Sequence, residues 1–137
     1  MAKAIGIDYG KKRIGIAISD SLQIIASALT TIDTSNIFTF LKELLEKEEI
    51  DCIVVGEPRN LNNTATDSTA ITEEFVATLS KKHPRIPIKR IDERFTSKIA
   101  KQSILDAGIK KMKRRNKALV DKVSAVIILQ SYLDANN

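Results

Sequence analysis

The 137-residue sequence predicts an α/β domain in which helices cover a mixed β-sheet. Two observations lead to this prediction. Near the N-terminus, three successive segments are rich in β-branched residues and lie close enough together for hairpin connections. After residue 33, segments of helical periodicity alternate with short apolar runs, which is typical of strands joined by helical crossovers and therefore running parallel.

The first half of the chain contains four predicted strands and one helix. KAIGIDYG is typical of a strand that ends in a turn, and RIGIAISD is typical of its hairpin partner, with GKK at the turn. QIIASALTTI is typical of a third strand. In DTSNIFTFLKELLEKEEI the apolar residues fall at helical spacing, and Asp33, Thr34 and Ser35 are candidate caps for its start. The apolar run DCIVVGEP suits a buried central strand parallel to the first.

The second half alternates helices with one further strand. The sequence predicts a polar loop at RNLNNTATDS, followed by a helix at STAITEEFVATLSKKHP and a strand at IPIKRIDE. A second helix is predicted at TSKIAKQSILDAG. The basic loop IKKMKRRNK then precedes a final helix, ALVDKVSAVIILQSYLDA. The resulting order, β-β-β-α-β-α-β-α-α, indicates a five-stranded mixed sheet flanked by helices, as in the ribonuclease H-like fold. No repeat or linker divides the sequence, so residues 1–137 are expected to form a single ribonuclease H-like nuclease domain.

The composition is that of an ordinary water-soluble protein, with 43% hydrophobic and 28% charged residues. No apolar stretch approaches the roughly 20 residues that cross a bilayer, and the N-terminus lacks the pattern of a secretory signal. The one cysteine, Cys52, lies inside an apolar run, which predicts a buried thiol. These features predict a cytoplasmic protein that does not bind membranes.

The charge is distributed unevenly along the chain. Between Lys81 and Lys117 there are 14 Lys or Arg residues and three acids, a balance of +11, so the remainder sums to −6 given the net charge of +5. Such asymmetry favours a polyanionic partner, above all nucleic acid. The alternative is a solvated basic face with no partner.

Acidic residues end two predicted strands and interrupt one apolar helix. Asp8 ends the first strand, Asp92 and Glu93 end IPIKRIDE, and Asp121 lies among apolar residues one turn inside the last helix. Carboxylates are the ligands that Mg²⁺ or Mn²⁺ prefers, and a carboxylate in apolar surroundings is costly unless it is paired or bound to a cation. Two such ions can promote phosphodiester hydrolysis. The four acids therefore predict a metal site.

Each acid also has a purely structural interpretation. Asp8 could form a turn, Asp92 or Glu93 could cap the next helix or pair with Arg90 or Arg94, and Asp121 could pair on the surface with Lys117 or Lys122. Glu57, directly after a central strand, is a further candidate ligand of lower rank.

Clusters of cations neighbour these acids in sequence. We expect them to bind the phosphates of a substrate, since Lys and Arg supply most contacts to nucleic-acid backbones. The candidates are Lys11, Lys12 and Arg13 at the first hairpin, Arg94, and Lys110, Lys111, Lys113, Arg114 and Arg115 in the basic loop.

The chain resembles the YqgF/RuvX family of pre-16S rRNA nucleases, also labelled Holliday junction resolvases. The resemblance rests on GIDYGKKRIGIAISD, IVVGEPRNLN, IDERFTS and KALVDKVSAVIILQSYL, and it covers essentially the whole chain. It implies a ribonuclease H-like fold, a cytoplasmic location and a metal-dependent nuclease that matures the 5′ end of small-subunit rRNA. The family's acidic set falls on Asp8, Glu93 and Asp121, with Asp92 close by, as catalytic and metal-binding residues.

Three other functions stay open at this point. A resolvase would act on branched DNA, and a homodimer would suit that substrate. A non-catalytic assembly factor would bind RNA, in association with the ribosome, through the basic face alone. An ATPase of the actin and sugar-kinase type could use DYGKKRIG to hold nucleotide phosphate, but those proteins need two such lobes and this chain supplies one.

Overall fold

The computed structural model describes residues 2–57, 67–92 and 117–136, with the backbone alone at residues 67–68 and 117–122. Among the described residues no helix is long and apolar enough to cross a membrane. The elements, in chain order, are β1 (Lys3–Tyr9), β2 (Arg13–Ser19), β3 (Ala26–Asp33), α1 (Ile37–Lys47), β4 (Ile50–Glu57), α2 (Asp67–Lys82), β5 (Ile88–Asp92) and α3 (Lys117–Ala135). The predicted helix TSKIAKQSILDAG and the basic loop lie outside the described residues.

The five strands form one sheet in the order β3-β2-β1-β4-β5. β2 pairs antiparallel with both β1 and β3, as the hairpin prediction requires. β4 pairs parallel with both β1 and β5. The predicted mixed five-stranded sheet is therefore confirmed, and the carboxyl ends of β1, β4 and β5 meet at one edge.

The sheet has two buried faces of different character. The first, which we call the α1/α2 face, consists of large side chains packed under Leu41 of α1 and under Phe75 and Leu79 of α2. Its strand residues are Ile5, Ile7, Ile14, Ile16, Ile53 and Val55. The second, the α3 face, consists mostly of small side chains packed under the C-terminal helix. Its buried residues are Ala4, Ala17, Ala26, Cys52, Val54, Ala125, Ile128, Leu129 and Leu133.

The third strand begins at Ala26, three residues later than the sequence predicts. The carboxylate of Asp20 accepts hydrogen bonds from the backbone N–H groups of Ile24 (2.8 Å) and Ile25 (2.9 Å), and Gln23 adopts a left-handed φ of 55°. These bonds lower the pKa of Asp20 and hold residues 20–25 as a loop. The local carboxylate competes with strand pairing for the same N–H groups, which is why the strand prediction was too long here.

The start of the first helix also differs from the prediction of a side-chain cap at Asp33, Thr34 or Ser35. A short 3-10 turn, Thr34–Asn36, precedes α1, and Asn36 occupies the cap position of α1 without a side-chain cap bond. The hydroxyl of Thr34 donates instead to the backbone oxygen of Gly10 at 2.7 Å. Thr34 therefore contacts the hairpin between β1 and β2.

Candidate active site at the carboxyl ends of the parallel strands

Asp8 lies near the carboxyl end of β1, at the centre of the sheet. Its antiparallel partner on β2 is Gly15, and the preceding residue, Ile7, pairs with Val55 on β4. Side chains alternate along a strand, so Asp8 lies on the same face as Ala4, which is buried against α3. Asp8 is half-buried. The predicted position of this carboxylate, at the end of the first strand, is thus the one the structure has.

α3 lies directly on β1 because β1 has a glycine where the two cross. A Cβ atom added at Gly6 would lie 2.6 Å from the Cβ of Leu129 and 2.9 Å from the backbone oxygen of Ala125. Cβ atoms in proteins essentially never come so close. Gly6 therefore permits a close approach of helix and strand two residues before Asp8.

The direction of α3 brings residue 121 toward Asp8. The hydroxyl of Tyr132 donates a hydrogen bond to Cys52, whose register partner on β1 is Ala4. α3 is therefore antiparallel to β1. Tyr132, near the end of α3, lies beside the start of β1 at Ala4, and Ala125, about two turns earlier, lies beside Gly6. One further turn places the backbone of Asp121 at the level of Asp8, on the same side of the helix as Ala125. The side chain of Asp121 lies outside what the structure describes.

The two other strand-end acids among the described residues lie on the opposite face from Asp8. Asp92 and Glu57 are register partners at the ends of β5 and β4. Ile91 packs against the α3 face, so its neighbour Asp92 lies on the α1/α2 face by alternation. Glu57, two residues after Val55 in the α1/α2 core, lies there too. Glu93 follows Asp92 directly and is outside the described residues.

An ion pair occupies the α1/α2 side of this edge. The guanidinium of Arg90 contacts both carboxylate oxygens of Glu73 on α2, at 2.8 and 3.1 Å. The same side chain donates to the backbone oxygen of Val55 at 3.3 Å. Arg90 thus joins β5 to β4 and α2 and has a structural partner.

The hairpin between β1 and β2 presents the first group of predicted cations. Lys11 and Lys12 are exposed at its tip, and Arg13 is half-buried at the start of β2, in register with Asp33. Two exposed ammonium groups therefore follow Asp8 within four residues. The remaining predicted phosphate-binding residues lie outside the described part of the chain: Arg94, Lys110, Lys111, Lys113, Arg114 and Arg115.

Comparison with known proteins decides the family. Residues 2–135 match the model of the RuvX family, which is described as Holliday junction resolvase. The chain belongs to the RuvX family. Two similar relatives, each named "Putative pre-16S rRNA nuclease", come from Christiangramia forsetii (47% identity over 97% of this chain and 98% of the relative) and Phocaeicola vulgatus (50% identity, 98% and 97%). The resemblance predicted from the four motifs is confirmed.

Solved structures place this RuvX-family chain in the predicted fold. The structure of T. thermophilus RuvC in complex with a Holliday junction substrate has a TM-score of 0.60 at 17% identity, covering 99% of this chain and 96% of that one. Fowlpox virus resolvase with Holliday junction DNA has a TM-score of 0.58 at 12% identity, covering 98% of both chains. These likenesses confirm a ribonuclease H-like fold.

The chemistry of the RuvX-family site agrees with a hard divalent cation. Among the described residues no three His, Cys, Asp or Glu side chains cluster. Glu93 and the side chain of Asp121 lie outside the described part of the chain. Asp8 supplies carboxylate oxygens at a strand end, and the backbone of Asp121 lies at the same level. Oxygen donors of this kind fit Mg²⁺ or Mn²⁺.

Sequence reasoning missed two residues that shape the site. Gly6 could have been found, since a glycine inside a strand pattern marks a close backbone approach. Thr34 gave no such signal, because its partner Gly10 lies 24 residues away in sequence.

The aromatic residues, scattered in sequence, also meet in the fold. Tyr9 stacks on Phe75 with 4.5 Å between ring centroids, and the ring centroid of Phe38 lies 5.7 Å from that of Phe75. Burial, together with the nearby Glu74 carboxylate, raises the pKa of Tyr9. Its phenol therefore stays protonated at neutral pH and anchors the end of β1 to the α1/α2 core.

Proposed function

We propose that the protein is a metal-dependent nuclease that hydrolyses phosphodiester bonds in 5′-end maturation of 16S rRNA precursor. Membership of the RuvX family and the names of the curated relatives support this function. The observation that carries it is the position of Asp8 near the carboxyl end of the central strand, on the sheet face that is covered by α3, the helix that contains Asp121. Open α/β sheets bind their ligands at that end.

In this proposal Asp8, Glu93 and Asp121 hold Mg²⁺ or Mn²⁺. Asp92 lies on the face opposite Asp8, so we propose Glu93, the next acid in the sequence, and not Asp92 as the third ligand. Bound there, the cation would activate water and neutralise charge developing on the phosphate. The carboxylates fix its position, and the close packing of α3 on β1 fixes the spacing between Asp8 and Asp121.

The cations of the chain bind and orient the substrate. Lys11, Lys12 and Arg13 contact backbone phosphates near Asp8. Further phosphates are bound by the other predicted cations, Arg94, Lys110, Lys111, Lys113, Arg114 and Arg115. Contacts of this kind fix the register of the nucleic acid without reading its bases. Activity on precursor rRNA would occur in the cytoplasm, in association with the assembling ribosome.

A second candidate function is cleavage of Holliday junctions. The description of the RuvX family model favours it. A homodimer would suit a four-way junction, since two active sites could then act on paired strands. The phosphodiester chemistry is the same for both substrates, so the two functions differ in the nucleic acid that is bound.

Cleavage assays on both substrates test the proposal. Wild type is incubated with a precursor 16S rRNA leader transcript or a four-way DNA junction, in Mg²⁺, Mn²⁺ or EDTA. Asp8→Asn should lower the metal-dependent rate by roughly 10³-fold, since metal stabilisation of the transition state is worth several kcal/mol. Asp134→Asn makes the same chemical change at an exposed position near the far end of α3 and should keep the wild-type rate.

The pattern of results separates the candidates. Faster cutting of the rRNA leader supports the maturation nuclease, and faster cutting of the junction supports the resolvase. Tight binding without cleavage in either metal would refute both and indicate a non-catalytic assembly factor.

A further inference from the structure

We infer that Thr34 is a positioning residue for the phosphate-binding hairpin, an inference that rests on the proposed function. Its hydroxyl donates to the backbone oxygen of Gly10 at 2.7 Å, and its backbone N–H donates to the backbone oxygen of Lys12 at 3.0 Å. These two acceptors are the carbonyls of the residues on either side of Lys11. One residue from outside the hairpin therefore clamps the tip at two points.

The hairpin between β1 and β2 is a tight turn. A Cβ atom added at Gly10 would lie 2.5 Å from the backbone oxygen of Arg13, so the chain folds back on itself within four residues. Such a turn can still rotate as a unit about the ends of its two strands. The two bonds from Thr34 remove that freedom and fix where the side chains of Lys11 and Lys12 begin relative to Asp8.

The clamp is anchored in the core. Thr34 opens the 3-10 turn that leads into α1, where Ile37 and Leu41 are buried in the α1/α2 core. The other end of the contact, Gly10, lies two residues after Asp8. Thr34 thus links the rigid packing of α1 to the part of the hairpin that carries two exposed ammonium groups.

A hairpin that Thr34 holds in place loses less conformational entropy when the nucleic acid binds. Ordering a flexible loop at the moment of association reduces affinity, whereas a loop already held in its bound position avoids that cost. The hydroxyl bond can be removed without changing side-chain size, because Val is nearly isosteric with Thr. Thr34→Val deletes the bond to Gly10 and keeps the backbone bond to Lys12.

The test measures binding without metal, so that it does not depend on catalysis. A fluorescein-labelled transcript spanning the leader and 5′ end of 16S rRNA is titrated in EDTA with wild type, Thr34→Val and Thr34→Ser. Thr34→Val should weaken binding about two- to fivefold, because a hairpin that is free to move must be ordered when the transcript binds, and Thr34→Ser should restore wild-type affinity.

A double-mutant cycle separates positioning from general destabilisation. In a Lys11→Ala, Lys12→Ala background Thr34→Val should cause no further loss of affinity, because the side chains it positions are gone. An equal loss in both backgrounds, or no loss in the wild-type background, would overturn the inference. Where Thr34→Val proves unstable, amide hydrogen exchange gives a second measurement. Faster exchange confined to residues 10–13 supports the clamp, and exchange spread over the sheet contradicts it.

Failure of the inference and failure of the proposed function are distinguishable. If the two lysine substitutions leave both the affinity and its salt dependence unchanged, the hairpin does not bind phosphate, and this refutes the substrate contact and the inference together. If the cycle shows coupling but wild type cuts neither substrate in Mg²⁺ or Mn²⁺, the nuclease proposal fails and the positioning role of Thr34 stands.

Discussion

The two faces of the sheet differ in what their side chains are suited to do. The α1/α2 face is filled by isoleucines and aromatic rings, and the side chains of Leu41 and Leu79 above it are fully buried. The α3 face has Ala4, Gly6 and Cys52 under the helix. Large side chains maximise the apolar area removed from water, whereas small ones let a helix approach the backbone closely.

We infer from this difference that the two faces have different roles in the protein. The α1/α2 face has the larger strand side chains, so each of them removes more apolar area from water, and Thr34 at the start of α1 anchors the hairpin. The α3 face has smaller strand side chains, and they let α3 approach β1 closely at Gly6, two residues before Asp8. Substitutions on the first face should therefore change stability more than activity, and substitutions on the second should do the reverse.

The largest expected effect on stability comes from the α1/α2 face. Leu79→Ala should lower the free energy of unfolding by about 2–5 kcal/mol, since it leaves a cavity in a fully packed core. Urea denaturation measures this, with the exposed neighbour Thr78→Ala expected to stay within about 0.5 kcal/mol of wild type. The cleavage rate per folded molecule should not change. A rate that drops with the protein still folded would show that the two faces are not separable.

An intermediate effect is expected where α3 touches β1. Gly6→Ala should cost about 1–3 kcal/mol, because its new methyl group meets the backbone oxygen of Ala125 and the helix has to shift. The same shift moves Asp121 relative to Asp8, so cleavage should fall further than the lost stability explains. Ile16→Val on the other face, expected to cost about 0.5–1.5 kcal/mol, serves as the control that keeps its activity. Equal activity in the two variants would contradict the proposed spacing.

The smallest effect concerns the buried thiol of the α3 face and appears only at alkaline pH. Burial raises the pKa of Cys52 above its ordinary value of 9.0. The unfolded thiol then ionises at lower pH than the folded one, so stability is complete below about pH 9 and decreases as the pH rises through the folded value.

Thermal melts at about pH 8 and about pH 10 measure this dependence. Cys52→Ala should lose less stability between the two than wild type does. Burial also raises the pKa of Tyr132 above 10.0, which adds a similar decrease at still higher pH in both proteins. An identical decrease in the two proteins would show that Cys52 ionises freely in the fold.

Much of the fold was predictable because the patterns that specify it are local. Alternation, helical periodicity and turn residues gave all five strands, their hairpins and the parallel pairing of β1 with β4. The prediction that Asp8 lies at the end of the first strand is confirmed. The prediction failed where a side chain redirected the backbone, as Asp20 does before β3.

The remaining parts of the site depend on contacts between distant segments. Neither the closeness of Gly6 to Leu129 nor the bond from Thr34 to Gly10 follows from the spacing of neighbouring residues. The face on which Asp92 lies follows from the packing of its neighbour Ile91 against the α3 face, which strand patterns alone do not give.

One contact of α3 bears on the order in which the parts of the protein fold. The side-chain amide of Gln130 accepts from the backbone N–H of Ala26 and donates to the backbone oxygen of Ile24, residues that lie 104 and 106 positions earlier. Contacts so far apart in sequence form late, because long loops must close first. The start of β3 at the edge of the sheet is therefore fastened only after the chain has been synthesised through Gln130 and α3 has docked.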